Sequence, residues 1–323
     1  MTDVIALSMN PSIDLSTSTD RVVPLRKLRC ASARRDPGGG GVNVARVIGR
    51  FGADVTAVYP IGGATGLMLR RLVDQEGIRS LAIEISGETR EDLTVVEKTT
   101  GNEFRFVLPG PRLAKDEWRM CLEAVAALRA RSKFLVASGS LPPGVPKDFY
   151  GHVARLAKEM SLKMVLDAAG TALEMALKEG VYLIKPNLQE LADLTGIRTQ
   201  DQDAWIKAAL GLVQAEQTEV VALTLGGEGA LLITRDQVWR AQALPVKVVS
   251  TVGAGDSFLG GLIWSLVSDH DLKDAFRYAN AAGSAALLSP GTALCRWEDT
   301  ERLYRQVTVE TIWMRQAIPE RVV

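Results

Sequence analysis

The sequence Thr251-Val-Gly-Ala-Gly-Asp-Ser-Phe-Leu-Gly-Gly261 predicts a turn of small residues that opens directly into a helix. A strand-like run from Ala243 to Val249 precedes the turn, and the apolar residues after Asp256 recur at the spacing of one helix face. Backbone N–H groups at a helix start have no partner within the helix and lie at the positive end of its dipole. The turn is therefore a candidate binding site for an anion such as a phosphate.

Asp256 lies at this same helix start. A carboxylate beside an anion site can act as a general base, which takes the proton from a hydroxyl group as that group attacks a phosphoryl group. An aspartate that only caps the helix after a glycine turn would produce the same sequence. The motif by itself leaves both interpretations open.

The composition of the chain is typical of a globular protein. It has 323 residues, of which 47% are hydrophobic and 24% charged, and this is enough for a large core. Its 38 basic and 38 acidic side chains cancel, so no excess charge favours nucleic acid or an anionic membrane. The three cysteines lie far apart and form no Cys-x-x-Cys motif, which is typical of a reducing compartment. Since the sequence shows neither an export signal nor a membrane span, we expect a soluble cytoplasmic protein.

Two segments near the N-terminus predict further ligand contacts. The run from Val4 to Met9 is typical of a buried strand, and Asp14 follows it at the end of a sheet where ligands gather in α/β proteins. Pro37-Gly-Gly-Gly-Gly41 leads into a helix whose first turn carries the amide of Asn43. Four glycines leave the backbone open to a ligand. A turn aspartate and a flexible linker are the alternatives at these two places.

Strands and helices alternate along most of the chain, which predicts a mainly parallel sheet flanked by helices in one domain of residues 1–323. Two inserted segments break this alternation. The segment at about 88–109 predicts a hairpin, and the segment at about 15–36 predicts two short strands. Together they would form a small sheet with apolar surface still to cover, since a hairpin of this size is not stable alone. We therefore expect a homodimer formed through this sheet.

Asn187 and Glu190 stand at the start of another predicted helix. Asn followed three residues later by Glu is close to a capping box, which needs no further function. The same spacing places an amide and a carboxylate on one side of the helix start, where they could hold Mg²⁺ through water. Spacing alone does not separate these two interpretations.

Four motifs in one order resemble the ribokinase-like (PfkB) carbohydrate kinases. They are Gly-Gly-Gly-Gly-Val-Asn-Val-Ala-Arg at 38–46, Gly-Ser-Leu-Pro-Pro-Gly at 139–144, Lys-Pro-Asn-x-x-Glu at 185–190 and Ser-Thr-Val-Gly-Ala-Gly-Asp-Ser at 250–257. The resemblance extends from Val4 to about Tyr304 and is greatest for the type II 6-phosphofructokinases. It implies an α/β domain with a β lid that also forms the dimer interface. It also implies ATP- and Mg²⁺-dependent phosphorylation of fructose 6-phosphate at its C1 hydroxyl.

The resemblance implies catalytic and substrate-binding roles for matching residues of this chain. Asp256 would be the general base, and the N–H groups of Gly253, Ala254 and Gly255 would stabilise the charge on the transferring phosphoryl group. Sugar hydroxyls would be bound by Asp14, Gly39 and Asn43. Arg90 and Ser140, supported by Arg29, would bind the 6-phosphate, and Lys27 would lie between the sugar and the ATP phosphates.

The resemblance also implies sites for the nucleotide and for cations. The nucleotide site would comprise Lys27, Lys185, Asn187, Thr224, Gly226 and Gly229, with Asn280 and Ser284 beside the adenine. Glu190 would organise Mg²⁺, and backbone oxygens near Ser250, Val252, Ala286, Ser289 and Gly291 would bind K⁺. A second, inhibitory ATP near Lys27 is a property of the type II enzymes.

Three alternatives to this activity are considered. Relatives that act on fructose 1-phosphate or tagatose 6-phosphate usually carry lysine where this chain has Gly40, which favours fructose 6-phosphate. Arg90 and Arg29 argue against a nucleoside, since a neutral acceptor needs no guanidinium groups. A non-catalytic regulator that binds a sugar phosphate is of a different class, and the intact motif from Gly253 to Asp256 argues against it because a binder needs no base.

Overall fold

The computed structural model describes residues 3–128 and 132–314, which fold into a layered α/β arrangement with a second, smaller sheet. The strands are β1 (Val4–Leu7), β2 (Ser12–Thr19), β3 (Arg34–Gly38), β4 (Val55–Ile61), β5 (Arg79–Glu84), β6 (Arg90–Glu97), β7 (Glu103–Phe106), β8 (Phe134–Ser138), β9 (Lys163–Asp167), β10 (Val181–Ile184), β11 (Thr218–Thr224), β12 (Ala230–Ile233), β13 (Gln237–Ala241) and β14 (Val309–Met314). The helices are α1 (Gly40–Arg50), α2 (Gly63–Gln75), α3 (Lys115–Ala127), α4 (Phe149–Glu159), α5 (Gly170–Leu177), α6 (Leu188–Thr195), α7 (Gln202–Gln214), α8 (Ala254–Val267), α9 (Leu272–Ala286) and α10 (Trp297–Tyr304).

The main sheet has ten strands within the described residues, in the order β14-β13-β12-β11-β10-β9-β8-β1-β4-β5. The seven strands from β11 across to β5 are parallel to one another. At the other edge, β12 pairs antiparallel with β11, β13 with β12, and β14 with β13. Alternate residues of β1 enter different cores: Val4 and Ala6 pack on one face, Ile5 and Leu7 on the other. A sheet buried on both faces needs helices on both, so the predicted fold class is confirmed. Among the described residues, no helix combines the length and apolar character needed to cross a bilayer.

The second sheet, called the lid below, contains β3, β2, β6 and β7 in that order. Strands β2 and β6 come from the two inserted segments and pair in parallel, with Asp14 opposite Asp92. Strands β6 and β7 form the expected hairpin. The small sheet is therefore present, and β2 begins at Ser12, slightly before the segment predicted to start at about residue 15. The division of the chain into one domain of residues 1–323 stays a prediction.

The strand predicted from Ala243 to Val249 is wrong, because this run is irregular in the structure. Its apolar residues resemble a strand, but Pro245 has no N–H group to contribute to a ladder. The neighbouring edge of β13 is already paired with β14. The run is held instead by the N–H of Val249, which donates to the carbonyl of Leu287 at 2.7 Å.

The antiparallel edge of the main sheet was not predicted from the sequence. Strands β12 and β13 form a hairpin, and β14 pairs with β13 so that Val309 lies opposite Ala241. This pairing gives a structural role to residues after Arg305, for which the sequence suggested none. Strand β5, at the other edge of the sheet, was also missed, and its residues are mostly half-buried or exposed, which weakens the apolar pattern.

Candidate active site

A cleft of about 990 Å³ lies between the lid and the carboxyl ends of β1, β8 and β9. Asn10, Ser140 and Asp167 line it from the ends of these strands, and Asp14 and Arg90 line it from the lid. The carboxyl ends of parallel strands meet at one edge of a sheet, and ligands bind there in open α/β sheets. The cleft thus collects polar residues that are far apart in the sequence.

The first turn of α8 borders this cleft. Gly253 is the N-cap of the helix and has φ of 75°, a left-handed conformation that favours glycine. A Cβ atom at this position would lie 2.5 Å from Leu294 Cδ2, so the available space also requires glycine. Gly253 and Asp256 both line the cleft. The predicted turn and helix start are confirmed, and the end of the helix that can hold an anion faces the cleft.

Asp256 does not cap α8, because Gly253 occupies the N-cap position and no side chain caps the helix. The amide Nδ2 of Asn43 donates instead to Asp256 Oδ2 at 2.9 Å. Burial raises the pKa of Asp256 to about 6; repulsion by Asp167 adds to the rise, and the Asn43 hydrogen bond and nearby Lys185 oppose it. The carboxyl group can therefore exchange a proton close to neutral pH, as a general base must.

Lys185 is buried beside the start of α8. Its Nζ lies 3.1 Å from Asp167 Oδ1, and a Cβ atom at Gly255 would lie 3.4 Å from the same Nζ. Burial alone lowers the pKa of Lys185, but the ion pair with Asp167 outweighs this effect and raises it. The ammonium group therefore stays charged and adds a positive charge next to the N–H groups of the helix.

Asn187 and Glu190 form a complete capping box at the start of α6. The Glu190 N–H donates to Asn187 Oδ1 at 2.9 Å, and the Asn187 N–H donates to Glu190 Oε2 at 2.8 Å. Burial raises the pKa of Glu190, the bond from Asn187 opposes this rise, and Asp167 adds to it. Because Glu190 also lines the cleft, its role in starting the helix is compatible with a second role toward a cation.

Asp167 and Glu190 lie near Lys185 and could bind a cation that takes most of its ligands from water and phosphate. Among the described residues, no three His, Cys, Asp or Glu side chains cluster as a ready-made metal site. Asp167 and Glu190 both line the cleft and influence each other electrostatically. One or two carboxylates together with substrate phosphates are the usual protein environment of Mg²⁺.

The residues predicted to bind K⁺ lie in two adjoining segments, the loop before α8 and the end of α9 with the loop that follows it. The hydrogen bond between Val249 N–H and the Leu287 carbonyl holds the segments side by side. The five positions are all buried; they are Ser250, Val252, Ala286, Ser289 and Gly291. Backbone carbonyls in a buried loop are ligands of the kind that K⁺ accepts.

The lid contributes Arg90 to the wall of the cleft. The Arg90 guanidinium donates to the carbonyls of Leu108 at 2.8 Å and Asn10 at 2.9 Å, and pairs with Asp92 at 3.1 Å. Its buried Nε has no hydrogen-bond partner. The Asn10 amide donates to Ser140 Oγ at 3.0 Å, so Arg90 and Ser140 share a neighbour. A guanidinium with a free donor beside a hydroxyl can bind a phosphate group.

Asp14 lies against the glycine loop that precedes α1. Burial raises the pKa of Asp14, the Ser12 hydroxyl opposes this by donating at 2.7 Å, and Asp92 adds to the rise. Side chains larger than glycine are excluded from this loop: a Cβ atom at Gly40 would collide with Ser138 Oγ. Asp14, Gly39 and Asn43 all line the cleft, and their contacts with sugar hydroxyls stay a prediction.

The sequence model of the pfkB family carbohydrate kinases matches residues 3–299. The chain belongs to this family. The ATP-dependent 6-phosphofructokinase isozyme 2 of Mycobacterium tuberculosis is 42% identical over 301 residues, which cover 93% of this chain and 88% of the relative. The crystal structure of phosphofructokinase-2 from Escherichia coli in complex with potassium is 38% identical, with a TM-score of 0.90 over 95% of this chain and 99% of the other. The structure of the same E. coli protein in complex with fructose-6-phosphate is 36% identical, with a TM-score of 0.89 and the same coverage.

Not every predicted site residue of this pfkB-family chain lies in the cleft. Lys27 and Arg29 are exposed on the loop between β2 and β3 and do not line it. The remaining nucleotide-site predictions also lie outside its lining; they are Lys185, Asn187, Thr224, Gly226, Gly229, Asn280 and Ser284. Asn187 and Thr224 are adjacent through a parallel bridge, and Asn280 is fixed on α9 by a 2.7 Å bond to the Phe276 carbonyl. Their roles stay predictions.

Sequence reasoning missed several polar residues of the cleft. Asp167 pairs with Lys185 and raises the pKa of Asp256, and Asn10 and Asp92 hold Arg90. One signal could have found Asp167: it is a carboxylate at the carboxyl end of a buried parallel strand, where ligands bind in open α/β sheets. Asn10 and Asp92 carry no such signal, because their role depends on a partner from another segment.

Proposed function

We propose that this chain transfers the γ-phosphoryl group of ATP to the C1 hydroxyl of fructose 6-phosphate, which yields fructose 1,6-bisphosphate and ADP. The observation that carries the proposal is the placement of Asp256, held by Asn43 at 2.9 Å, beside the glycine-rich start of α8 in a cleft that also contains Arg90 and Ser140. A base, an anion site and a phosphate-binding pair are the groups that this transfer requires. The names of the relatives with 42% and 38% identity support the same substrate.

The transfer proceeds by positioning and electrostatic stabilisation. Asp256 accepts the proton of the C1 hydroxyl group. The hydroxyl oxygen attacks the γ-phosphorus at the same time, in line with the departing ADP oxygen. The N–H groups of Gly253, Ala254 and Gly255 and the ammonium of Lys185 stabilise the negative charge that spreads over the phosphoryl oxygens. Glu190, with Asp167 nearby, would hold Mg²⁺, which would supply neutralising charge to the phosphates. Backbone oxygens near Ser250, Val252, Ala286, Ser289 and Gly291 would hold K⁺.

The choice of acceptor rests on the lid side of the cleft. Arg90 and Ser140 bind the 6-phosphate and thereby place C1 near Asp256. The runner-up activities are phosphorylation of tagatose 6-phosphate or fructose 1-phosphate, and the relatives that perform them usually carry lysine at the position of Gly40. Ser138 Oγ fills the space beside Gly40, so this chain has no room there for a larger side chain without rearrangement.

A substrate panel tests the proposal directly. Purified protein with ATP, Mg²⁺ and K⁺ is assayed for ADP release with fructose 6-phosphate, tagatose 6-phosphate, fructose 1-phosphate, fructose and a nucleoside. We expect the highest kcat/KM with fructose 6-phosphate and a fall in rate when either cation is omitted. A higher kcat/KM with another sugar phosphate would assign that sugar as the substrate in place of fructose 6-phosphate. The absence of ADP release with every acceptor would favour a non-catalytic regulator that binds a sugar phosphate.

Arg90→Met is expected to raise the KM for fructose 6-phosphate by about 10–100-fold, because charge-assisted hydrogen bonds to the 6-phosphate are lost. The KM for ATP should stay close to that of the wild type. Arg34→Met is the matched control: Arg34 is also a lid arginine paired with an aspartate two residues later, but it does not line the cleft. Equal changes in both Michaelis constants would show that the lid is disturbed rather than that a phosphate ligand is lost.

We also propose that two copies associate through their lids and that the protein works in the cytoplasm. Leu93 and Phe106 are register partners on the lid, and 37% and 53% of their surfaces are exposed. Phe106→Glu is therefore expected to convert a dimer into a monomer in sedimentation velocity. Ile312→Glu, which places the same charge on a 37% exposed side chain of the main sheet, should leave the dimer intact. A monomeric wild type would contradict the proposed assembly.

A further inference from the structure

One face of α1 carries a line of polar side chains. Asn43, Arg46 and Arg50 are spaced three and four residues apart, so they lie along the same side of the helix. Asn43 reaches Asp256 in the cleft. Arg46 is 1% exposed and is the largest of the fully buried side chains in the described part of the chain. A buried arginine is costly unless each of its donors finds an acceptor, so its contacts identify its role.

Every contact of the Arg46 guanidinium is to an oxygen atom. Nη1 lies 3.0 Å from Asn43 Oδ1, 2.8 Å from the Pro37 carbonyl and 3.0 Å from the Thr292 carbonyl. Nε and Nη2 lie 2.9 and 2.8 Å from Glu76 Oε1. Burial lowers the pKa of Arg46, and Glu76 opposes this change. Glu76 thus pairs with the charge of the Arg46 guanidinium through Nε and Nη2. The third nitrogen, Nη1, contacts the glycine loop, Asn43 and the loop before α10.

These contacts determine the orientation of the Asn43 amide. A guanidinium group can only donate hydrogen bonds, so the Asn43 atom that faces Arg46 must be the oxygen. The NH₂ group of the same amide then faces Asp256, whose ionised carboxylate can only accept. If the amide turned over, its oxygen would face Asp256, and that contact is favourable only when Asp256 is protonated.

We propose that Arg46 is a positioning residue for Asp256, because it holds the Asn43 amide with its donor aimed at the carboxylate. This inference rests on the proposed function only for its consequence in catalysis. The other charged groups near Asp256 are Asp167, Lys185 and Asp14, and the Arg46 guanidinium donates a hydrogen bond to none of them. Loss of Arg46 therefore removes the contact that orients the Asn43 amide without removing a direct contact to any of these charged groups.

The test measures the pKa of the Asp256 carboxyl group by ¹³C NMR of protein labelled at aspartate, with Asp256→Asn used to assign the signal. Arg46→Met is expected to raise this pKa by at least about one unit, the size of a lost hydrogen bond to a charged group. Arg50→Met is the matched control. Arg50 binds the same Glu76 at 2.7 Å and the Ala293 carbonyl at 2.6 Å, but it has no contact with Asn43. Its removal should leave the pKa of Asp256 unchanged.

Kinetics give a second readout. In Arg46→Met the acidic limb of the kcat/KM profile should move upward by the same amount as the pKa, with little change in the KM for ATP. If Arg46→Met does not fold, Arg46→Lys serves instead, because its shorter side chain with a single ammonium cannot reach Glu76 and Asn43 together.

An unchanged pKa of Asp256 in a folded Arg46 variant overturns the inference, and so does an equal shift in Arg50→Met, which would indicate general loosening. A pKa shift confined to the Arg46 variant supports the inference even if the wild type phosphorylates none of the sugars. In that case the proposed function fails while the positioning role stands.

Discussion

Asp256→Asn is expected to lower kcat with fructose 6-phosphate by at least about 100-fold while the KM values for both substrates stay close to wild type. Asparagine has the same shape and can still accept the hydrogen bond from Asn43, but it cannot take the proton of the C1 hydroxyl. ADP release under saturating substrate measures the effect. Asp269→Asn is the control: Asp269 is exposed, does not line the cleft, and already has φ of 62°, which asparagine tolerates. Retention of more than a few per cent of the activity by Asp256→Asn would remove the general-base assignment.

Replacing Asp256 is expected to change activity and stability in opposite directions. Because burial raises the pKa of Asp256 from 3.8 to about 6, the folded protein holds this proton more tightly than the unfolded chain. Its contribution to the unfolding free energy therefore falls as pH rises from about 4 to about 6 and stays low above that range. Asp256→Asn removes this cost, so the unfolding free energy at pH 7 should rise by on the order of 3 kcal/mol. In the wild type, kcat/KM should fall about tenfold per pH unit below about pH 6.

Gly253→Ala is expected to lower kcat/KM by about 100-fold or more, comparable with the loss of a donor to a developing charge. Alanine at φ of 75° is strained, and its Cβ would lie 2.5 Å from Leu294 Cδ2. Either the Leu294 side chain or the first turn of α8 must shift to relieve this contact, and a shift of the turn moves the N–H groups away from the transferring phosphoryl group. Steady-state kinetics with fructose 6-phosphate and ATP measure the loss.

Gly77→Ala separates the backbone strain from the effect on the site. Gly77 has φ of 70°, close to that of Gly253, but no atom lies within 4 Å of its added Cβ. Gly77→Ala should lower the free energy of unfolding by about 1 kcal/mol and leave kcat/KM unchanged. If Gly253→Ala lost no more activity than Gly77→Ala, the turn before α8 would have no special part in holding the phosphoryl group.

Much of the architecture could be predicted because it depends on local patterns. The turn at Gly253 and the capping box of Asn187 and Glu190 are set by residues within a few positions of each other. Predictions failed where a local pattern was overridden or too weak. The run from Ala243 to Val249 looks like a strand but contains Pro245 and lies beside an edge that β14 already occupies.

The candidate site could be predicted in part for the same reason. Motifs that contain several site residues in one short segment identified Gly39, Asn43 and Asp256, and all three line the cleft. Lys27 and Arg29 were placed by resemblance alone, and within this chain they lie on an exposed loop outside the cleft. A short segment specifies its own turn, but not the surface against which that turn packs.

The sequence by itself determined the helix starts at Gly40, Leu188 and Ala254, the alternation of strands and helices along most of the chain and the chemical type of each site residue, because these depend on neighbours within one or two turns of the chain. Only the tertiary structure decided that Asn43 would meet Asp256 and that Asp167 would pair with Lys185. It also decided the burial that raises the pKa of Asp256 and makes Arg46 depend on its four acceptor residues. Burial and long-range electrostatics arise from the packing of distant segments, so no pattern within one segment contains them.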